Sequence, residues 1–444
     1  MNFYKDNSIW KKLVGLDRHT KEVAKKSFSS TIVKSLGVLF QLILSVFLGR
    51  TIGANGIGII EITRRVINLL IVLSFVGIRQ VLTKETAIGF NKKDYNRVKD
   101  AMFTGFTVNG IIALLVSTIG IILSPYISKH FFNEPLLTIP LILAFAAMTP
   151  QMVSRIISSG LIGKRKIWQS NLVDQTLSIG VTLVFLFIFY LIRNTLTINV
   201  VAFAYAIGRL VVTITMTIYW RKVFPYGIIG SLKIRSLLHI SFPLYMNSLA
   251  LVVIGMVDGI IIGWFLNSND VGLYSVAARV AMLTSIFLQI SNSTVSPKVA
   301  ALFEEGKIKD IEKMVQRVTK GLGVIGLISL FFYIIAGKLI LGLWGNEFED
   351  AYLILVLLSL GQFVNIATGA SGVILIMTGY EKVQSKISII FMFTTVVLTV
   401  LFTYFFGLVG AAFATMLNVV GVNITKMLFV KLKLGILTIP YLKI

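Results

Sequence analysis

Long apolar segments alternate with short polar or basic segments along nearly the whole chain of 444 residues. A helix that crosses a hydrocarbon core of about 30 Å needs about 20 apolar residues, and segments of that length recur here. The pattern predicts an all-α integral membrane protein. Its twelve predicted transmembrane helices fall near residues 27–49, 57–77, 101–123, 138–162, 172–192, 198–219, 239–266, 271–295, 318–342, 350–376, 386–406 and 408–430.

The composition agrees with a membrane protein and excludes several kinds of site. Hydrophobic residues make up 56% of the chain and charged residues 14%, against roughly 25% charged residues in an ordinary soluble domain. There is no cysteine, so neither a disulfide framework nor a thiol-ligated metal is possible. The three histidines, His19, His130 and His239, lie far apart in sequence. We therefore predict neither a metal site nor a cofactor.

The distribution of lysine and arginine predicts the orientation of the helices, because these residues collect in cytoplasmic loops. With the N-terminus inside, the inner segments carry 32 basic residues and the outer loops carry 4. Both termini are therefore predicted to be cytoplasmic. Most of the net charge of +23 lies in short inner loops, where it meets anionic lipid headgroups. We therefore do not interpret it as a nucleic-acid-binding surface.

The second half of the chain repeats features of the first. Residues 54–66, ANGIGIIEITRRV, align without gaps with residues 268–280, SNDVGLYSVAARV. The matched positions include Gly58 with Gly272 and Arg65 with Arg279. A nearly equal offset aligns the inner segments GKRKI and GYEKV. Each match is weak alone, and chance similarity between apolar helices is the alternative, but the shared offset of 213–216 residues favours duplication.

A duplication with six helices per half gives both halves the same orientation. Transporters with such parallel repeats place their substrate site at the interface between the halves. The predicted organisation is a cytosolic basic lead-in at 1–26, an N-terminal six-helix bundle at 27–222, an inner linker at 223–238, a C-terminal six-helix bundle at 239–430 and a cytosolic tail at 431–444.

Charged residues within the predicted spans are candidates for function, because a charge at bilayer depth is costly unless it is paired, hydrated or able to reach the headgroups. Arg209 lies near the middle of its span, roughly 15 Å from either face, and we expect it to face a water-filled cavity or a partner. Lys34 and Arg155 lie nearer an edge, where snorkelling and a functional role are both open. The deep bases are Lys34, Arg64, Arg65, Arg155, Arg209 and Arg279, and the candidate coupling or gating acids are Glu61 and Asp258.

Helix geometry predicts two ion pairs. Glu61 and Arg65 are four residues apart, so they face one side of a helix and can pair. Asp258 lies about eight residues before the end of its span, and Arg279 about eight residues after the start of the next, so antiparallel neighbours would bring them to one depth. A structural ion pair and a gating or proton-coupled pair are both compatible with the second spacing.

The chain shows no catalytic motif. The run GANGIG at 53–58 lacks the GxGxxG spacing and follows a helix rather than a strand, and no GxxxxGK[ST] loop is present. We therefore predict a transporter and not an enzyme.

The segments FLGRTIGANGIGIIEITRRV and WFLNSNDVGLYSVAARV, the acid Asp258 and the GxxK[IV] inner loops resemble the polysaccharide transporters of the MOP superfamily, above all the Wzx-type flippases of O-antigen and capsule repeat units. The resemblance implies two six-helix bundles in a V that open alternately to each side. It also implies an oligosaccharide cargo on undecaprenyl pyrophosphate, moved to the outer leaflet of the bacterial cytoplasmic membrane. A coupling proton or sodium ion and contact with glycan polymerase machinery are compatible with it.

The deep residues are mainly cationic, and arginine presents two donors at once to phosphate oxygens. We therefore predict a phosphate site, weighted toward the first half of the chain, that draws on Arg209, Arg64, Arg65, Arg279, Lys34 and Arg155. Two other functions stay open. A multidrug or cation antiporter of the same superfamily would be expected to need an acidic cavity. A membrane-embedded glycan polymerase or ligase would be expected to carry a long outer loop.

Overall fold

The computed structural model describes residues 18–75, 77–227 and 229–439, and within these ranges the chain is helical without a β-strand. Short π-helical and 3-10 turns flank some helices. The helices are α1 (Arg18–Phe75), α2 (Ile78–Lys92), α3 (Tyr95–Tyr126), α4 (Thr138–Gly163), α5 (Ile167–Asn171), α6 (Leu177–Arg193), α7 (Ile198–Val223), α8 (Ile234–Phe265), α9 (Ser268–Met282), α10 (Ser285–Glu304), α11 (Ile308–Leu341), α12 (Tyr352–Ala367), α13 (Ser371–Met377) and α14 (Glu381–Leu434).

The helices confirm the predicted all-α membrane fold. Eight helices of the described part are long and apolar enough to cross a membrane, or nine if the bent pair α9 and α10 forms one crossing. Both α1 and α14 contain a break at a glycine with positive φ, Gly53 and Gly407, and α6 is an apolar helix of 17 residues. If each side of the two breaks and α6 are counted as crossings, the number is consistent with the predicted twelve.

Gly53 separates two predicted spans without a loop. Its φ of 67° and ψ of −174° interrupt α1, a conformation that glycine adopts without steric cost. The helix resumes at once, and the N–H of Ala54 donates to Oε1 of Glu347 at 2.8 Å. The carboxylate therefore satisfies one of the backbone donors that a helix start leaves open. The loop predicted between these spans is reduced to one residue.

Several predicted boundaries shift because helices extend beyond the predicted spans. The basic stretch after the second span, predicted as an inner loop, is largely the helix α2, which buries Ile78, Val81 and Leu82. The linker predicted at 223–238 ends when α8 begins at Ile234. Part of the predicted lead-in, residues 1–17, lies outside the described residues.

The largest apolar core contains residues of both halves of the chain. It runs through the first half, with Ile59 as one of its fully buried members. Its second-half members, such as Tyr274 and Phe348, come from residues 262–281, 333–358 and 411–412. A separate core consists of second-half residues alone, among them Val299 and Ile374. We call the region in which these second-half residues pack on the first half the closed end.

At the closed end, α1 and α9 cross with their backbones in direct contact. A Cβ atom at Gly58 would lie 1.6 Å from the carbonyl oxygen of Ser268, and one at Gly272 would lie 1.9 Å from the carbonyl oxygen of Ala54. Ala54 and Ser268 are matched positions of the repeat, as are Gly58 and Gly272. The duplicated segments therefore pack on each other about a pseudo-two-fold axis, which supports the duplication that the sequence predicts.

Candidate functional site

Glu61 lies at the centre of a charge cluster between the two halves. Its Oε1 accepts a hydrogen bond from Nη1 of Arg64 at 2.6 Å and another from Nη2 of Arg279 at 2.7 Å. Arg64 lies one turn along α1 from Glu61, whereas Arg279 belongs to α9. Glu61 is 9% exposed, so the two guanidinium groups offset the cost of removing its charge from water.

Arg65 forms a second ion pair between the halves, with Asp258 of α8. It also donates to the carbonyl oxygen of Met256 at 3.2 Å and reaches Oγ of Ser275 at 3.4 Å. Gly259 leaves room for this guanidinium group, since a Cβ atom there would lie 2.4 Å from Cζ of Arg65. Arg65 is therefore held from several sides.

Both ion pairs predicted from the sequence are wrong, because their partners are exchanged. Glu61 binds Arg64 and Arg279 rather than Arg65. Asp258 binds Arg65 rather than Arg279. The predicted residues do meet in one cluster, but each acid is bound to a base other than the one that spacing assigned to it.

Asp258 and Arg279 do not lie at one depth, because α9 begins three residues earlier than predicted, at Ser268. The side chain of Asn267 caps this start by accepting the backbone N–H of Asp270 at 2.9 Å. Arg279 is thus 11 residues into α9, while Asp258 is 7 residues from the end of α8. The difference corresponds to about 6 Å along a helix axis.

The arginine contacts follow the pseudo-two-fold axis of the glycine crossing. The repeat offset that matches Arg65 with Arg279 also matches Glu61 with Ser275. Arg279 reaches Glu61, and Arg65 reaches Ser275. Each arginine therefore contacts the matched position of the opposite half. The two contacts differ in charge, since the first half supplies a carboxylate and the second half a hydroxyl group.

A cleft of about 1080 Å³ lies between the halves beside this cluster. It follows α10 as far as Gln289, away from the closed end, and Val38 of α1 forms part of the opposite wall. Three guanidinium groups face one carboxylate in its described lining, so the cleft is cationic. Its charged lining residues are Glu61, Arg64, Arg65 and Arg279.

A second cavity of about 540 Å³, here called the side pocket, lies within the first half between α1, α4 and α7. Arg209 and Arg64 line it together with Tyr205. The guanidinium carbon of Arg64 is 5.9 Å from the centre of the Tyr205 ring, a cation–π distance. Arg64 lines the cleft as well. The side pocket therefore brings Arg209, the strongest single candidate of the sequence, next to the cluster.

The other predicted site residues, Arg155 and Lys34, are not among the residues that line the cleft or the side pocket. Arg155 of α4 donates from Nη2 to Oδ1 of Asn68 at 3.1 Å, and Asn68 lines both the cleft and the side pocket. Arg155 is thus placed to orient a lining residue. Lys34 is exposed on α1, one turn before Val38, and a role for it remains a prediction.

Sequence reasoning missed the bonds that fasten the two halves at the closed end. Nε1 of Trp344 donates to Oγ of Ser45 at 2.8 Å, and Nε of Arg50 donates to the carbonyl oxygen of Leu343 at 2.8 Å. Glu347 adds the bond to the restart of α1. These partners lie nearly 300 residues apart in sequence, so no local spacing could have indicated them.

Residues 23–303 match the sequence profile of the family described as polysaccharide biosynthesis protein, and residues 243–405 match the profile described as MatE. The first match covers more than half of the chain. The chain belongs to the polysaccharide biosynthesis protein family.

This polysaccharide biosynthesis protein is 23% identical over 410 residues to the probable low-salt glycan biosynthesis flippase of Haloferax volcanii, and the alignment covers 89% of this chain and 81% of that protein. Its structure is similar to a multidrug resistance transporter of the MATE family in an inward-facing conformation, with a TM-score of 0.74, 14% identity and coverage of 92% of this chain and 98% of that one. It is also similar to the lipid II flippase MurJ in an inward closed conformation, with a TM-score of 0.72, 14% identity and coverage of 92% and 87%. The predicted MOP fold is confirmed.

Proposed function

We propose that this protein is a flippase that moves a lipid-linked oligosaccharide across the bacterial cytoplasmic membrane by alternating access, with undecaprenyl pyrophosphate as the carrier. The observation that carries the proposal is the cleft between the halves, whose charged lining is three arginines and one carboxylate. Such a lining favours an anionic group over a cationic one. The similarity to a glycan biosynthesis flippase supports the glycan part of the cargo.

Within this proposal the bases have different roles. Arg64, Arg209 and Arg279 face cavities and bind the diphosphate of the cargo. Arg65 keeps its bonds to Asp258 and Met256 and holds the halves together. Arg155 positions Asn68. Lys34 attracts the anionic diphosphate of the cargo before the cargo enters the cleft. The polar side chains of the cleft contact the glycan.

In cells without the gene, lipid-linked repeat units should accumulate in the inner leaflet, and the wild-type gene should restore export. Arg209→Gln should lower export by about tenfold or more with the protein still folded, since a hydrogen bond to a charged group contributes about 1.5–3 kcal/mol. Arg209→Lys should retain part of the export, because a point charge still attracts phosphate. The control is Arg193→Gln, which changes an exposed arginine at the end of α6.

Normal export by a folded Arg209→Gln protein would remove this residue from the site. A fall in melting temperature that parallels the loss of export would assign Arg209 to holding helices together. Uptake of a cationic dye by vesicles, without flipping of the lipid-linked glycan, would replace the flippase with the rival antiporter.

We further propose that the closed end faces outward and that both termini are cytoplasmic, as the basic residues predict. The chain has no cysteine, so single cysteines can be introduced at Lys129 and at Lys309, both exposed. A membrane-impermeant maleimide should label the Lys129→Cys protein in intact cells. The Lys309→Cys protein should react only after the cells are opened. The reverse labelling pattern would contradict this orientation.

A further inference from the structure

Glu61 binds one arginine from each half through a single carboxylate oxygen. Oε1 accepts from Arg64 at 2.6 Å and from Arg279 at 2.7 Å. Arg64 shares α1 with Glu61, whereas Arg279 lies on α9 across the interface. The carboxylate is therefore an anion held between two guanidinium groups that belong to opposite halves, the arrangement that a bound phosphate oxygen would have.

The two ion pairs between the halves differ in their access to the cleft. The side chain of Arg64 is 30% exposed and that of Arg279 is 16% exposed, and both line the cleft together with Glu61. In the other pair, Arg65 and Asp258 are each 11% exposed, and Arg65 has further bonds to Met256 and Ser275. An anion that enters the cleft therefore reaches the Glu61 pair more easily than the Asp258 pair.

We propose that Glu61 is an internal substitute for the diphosphate of the cargo, which displaces it from Arg64 and Arg279 and so releases one link between the halves. This inference rests on the proposed function. A diphosphate is the stronger competitor, because it carries more charge than a carboxylate and can occupy both guanidinium groups at once. Cargo binding then replaces the single carboxylate oxygen between Arg64 and Arg279 with a longer diphosphate bridge that belongs to neither half, so α1 and α9 can move apart.

A narrow cavity, with room for about one water molecule, borders Glu61. Arg64 and Arg279 line it together with Gln41, Ser45 and Tyr205, whose amide and hydroxyl groups can donate hydrogen bonds. Ser45 is the residue that accepts the indole N–H of Trp344 at the closed end. A carboxylate that moves toward Ser45 can accept its O–H while Oγ still accepts the indole N–H.

The proposal predicts that removal of an acid tightens anion binding while it stops transport. In Glu61→Gln, Arg64 and Arg279 lose their internal anion, so the purified full-length protein should bind farnesyl diphosphate at least about tenfold more tightly than the wild type, as a close like charge is removed. Farnesol, which has the same chain without phosphate, should bind both proteins equally. Flipping should fall by about tenfold or more, because release of the cargo is no longer driven by return of the carboxylate.

Glu85→Gln is the matched control, since it also removes an acid that is bound to an arginine, Arg97. Neither residue lines the cleft, so affinity for farnesyl diphosphate should change by less than about threefold. If Glu61→Gln does not yield folded protein, Glu61→Asp takes its place. The shorter side chain cannot reach both arginines, so the affinity should change in the same direction.

A second measurement follows the closed end directly. Spin labels on cysteines at Thr195 and Asn346, exposed residues of opposite halves, report the separation of the halves there. Farnesyl diphosphate should lengthen this distance in the wild type, and Glu61→Gln should lengthen it without ligand. Farnesol should leave the wild-type distance unchanged.

The outcomes separate this inference from the proposed function. If the wild type binds farnesyl diphosphate no better than farnesol, the flippase proposal and the inference both fail. If the wild type prefers farnesyl diphosphate but Glu61→Gln binds it equally or more weakly, the function stands and Glu61 is not an internal substitute. Glu61 is also excluded from this role if the variant leaves the closed-end distance unchanged.

Discussion

A single methyl group added at Gly58 or at Gly272 is expected to abolish export. The new Cβ atom would lie 1.6 Å from the carbonyl oxygen of Ser268 in the first variant and 1.9 Å from that of Ala54 in the second. Backbone atoms cannot move aside as the end of a flexible side chain can, so α1 and α9 must separate. Overpacking of a tight contact typically costs about 1–3 kcal/mol and can cost more where backbone is displaced.

The matched control is Gly321→Ala, which adds the same methyl group to α11 where nothing lies within 4 Å. Melting temperature in detergent, the closed-end spin-label distance and export would be measured for all three variants. Gly58→Ala and Gly272→Ala should melt earlier or show a longer distance, and the control should resemble the wild type. Normal melting and export in both crossing variants would show that the backbones do not make this contact.

The fold could be predicted from the sequence because it rests on patterns that recur along it, whereas the crossing of α1 and α9 was not predicted. Apolar length predicted the helices, and the gap-free match of residues 54–66 with 268–280 picked out Gly58 and Gly272 as equivalent. A duplicated segment that packs on its own copy needs small residues at the same position in both. The repeat therefore identified the two glycines as equivalent positions, and the contact between them came from the structure.

The pairing of charges could not be predicted, because it depends on shifts smaller than the error of a predicted helix boundary. The sequence predicts Asp258 and Arg279 at one depth, but α9 begins three residues earlier than predicted, which removes that match. The local signal was present, since Asn267 is a favourable N-cap residue. The partner of Asp258, Arg65, lies 193 residues away in sequence, and no spacing rule connects residues that far apart.

The bond between Asp258 and Arg65 is expected to give strong coupling in a double-mutant cycle. Asp258→Asn leaves the guanidinium group of Arg65 buried without its counter-ion, and Arg65→Gln leaves the carboxylate in the same state. Removing one partner of a buried pair typically costs about 3–5 kcal/mol. The double variant leaves neither charge, so its free energy of unfolding should fall by clearly less than the sum of the single losses.

The comparison pair is Asp258→Asn with Arg279→Gln, the pairing that the sequence predicted and the structure replaces. Arg279 is bound to Glu61 instead, so the coupling in this double variant should be clearly smaller than the coupling between Asp258 and Arg65. Thermal melting in detergent gives the stabilities, and export is measured in parallel. Strong coupling between Asp258 and Arg279, with none between Asp258 and Arg65, would show that Arg65 is not the partner of Asp258. The cycle therefore tests which arginine neutralises the buried acid of α8, independently of the cargo that the cleft binds.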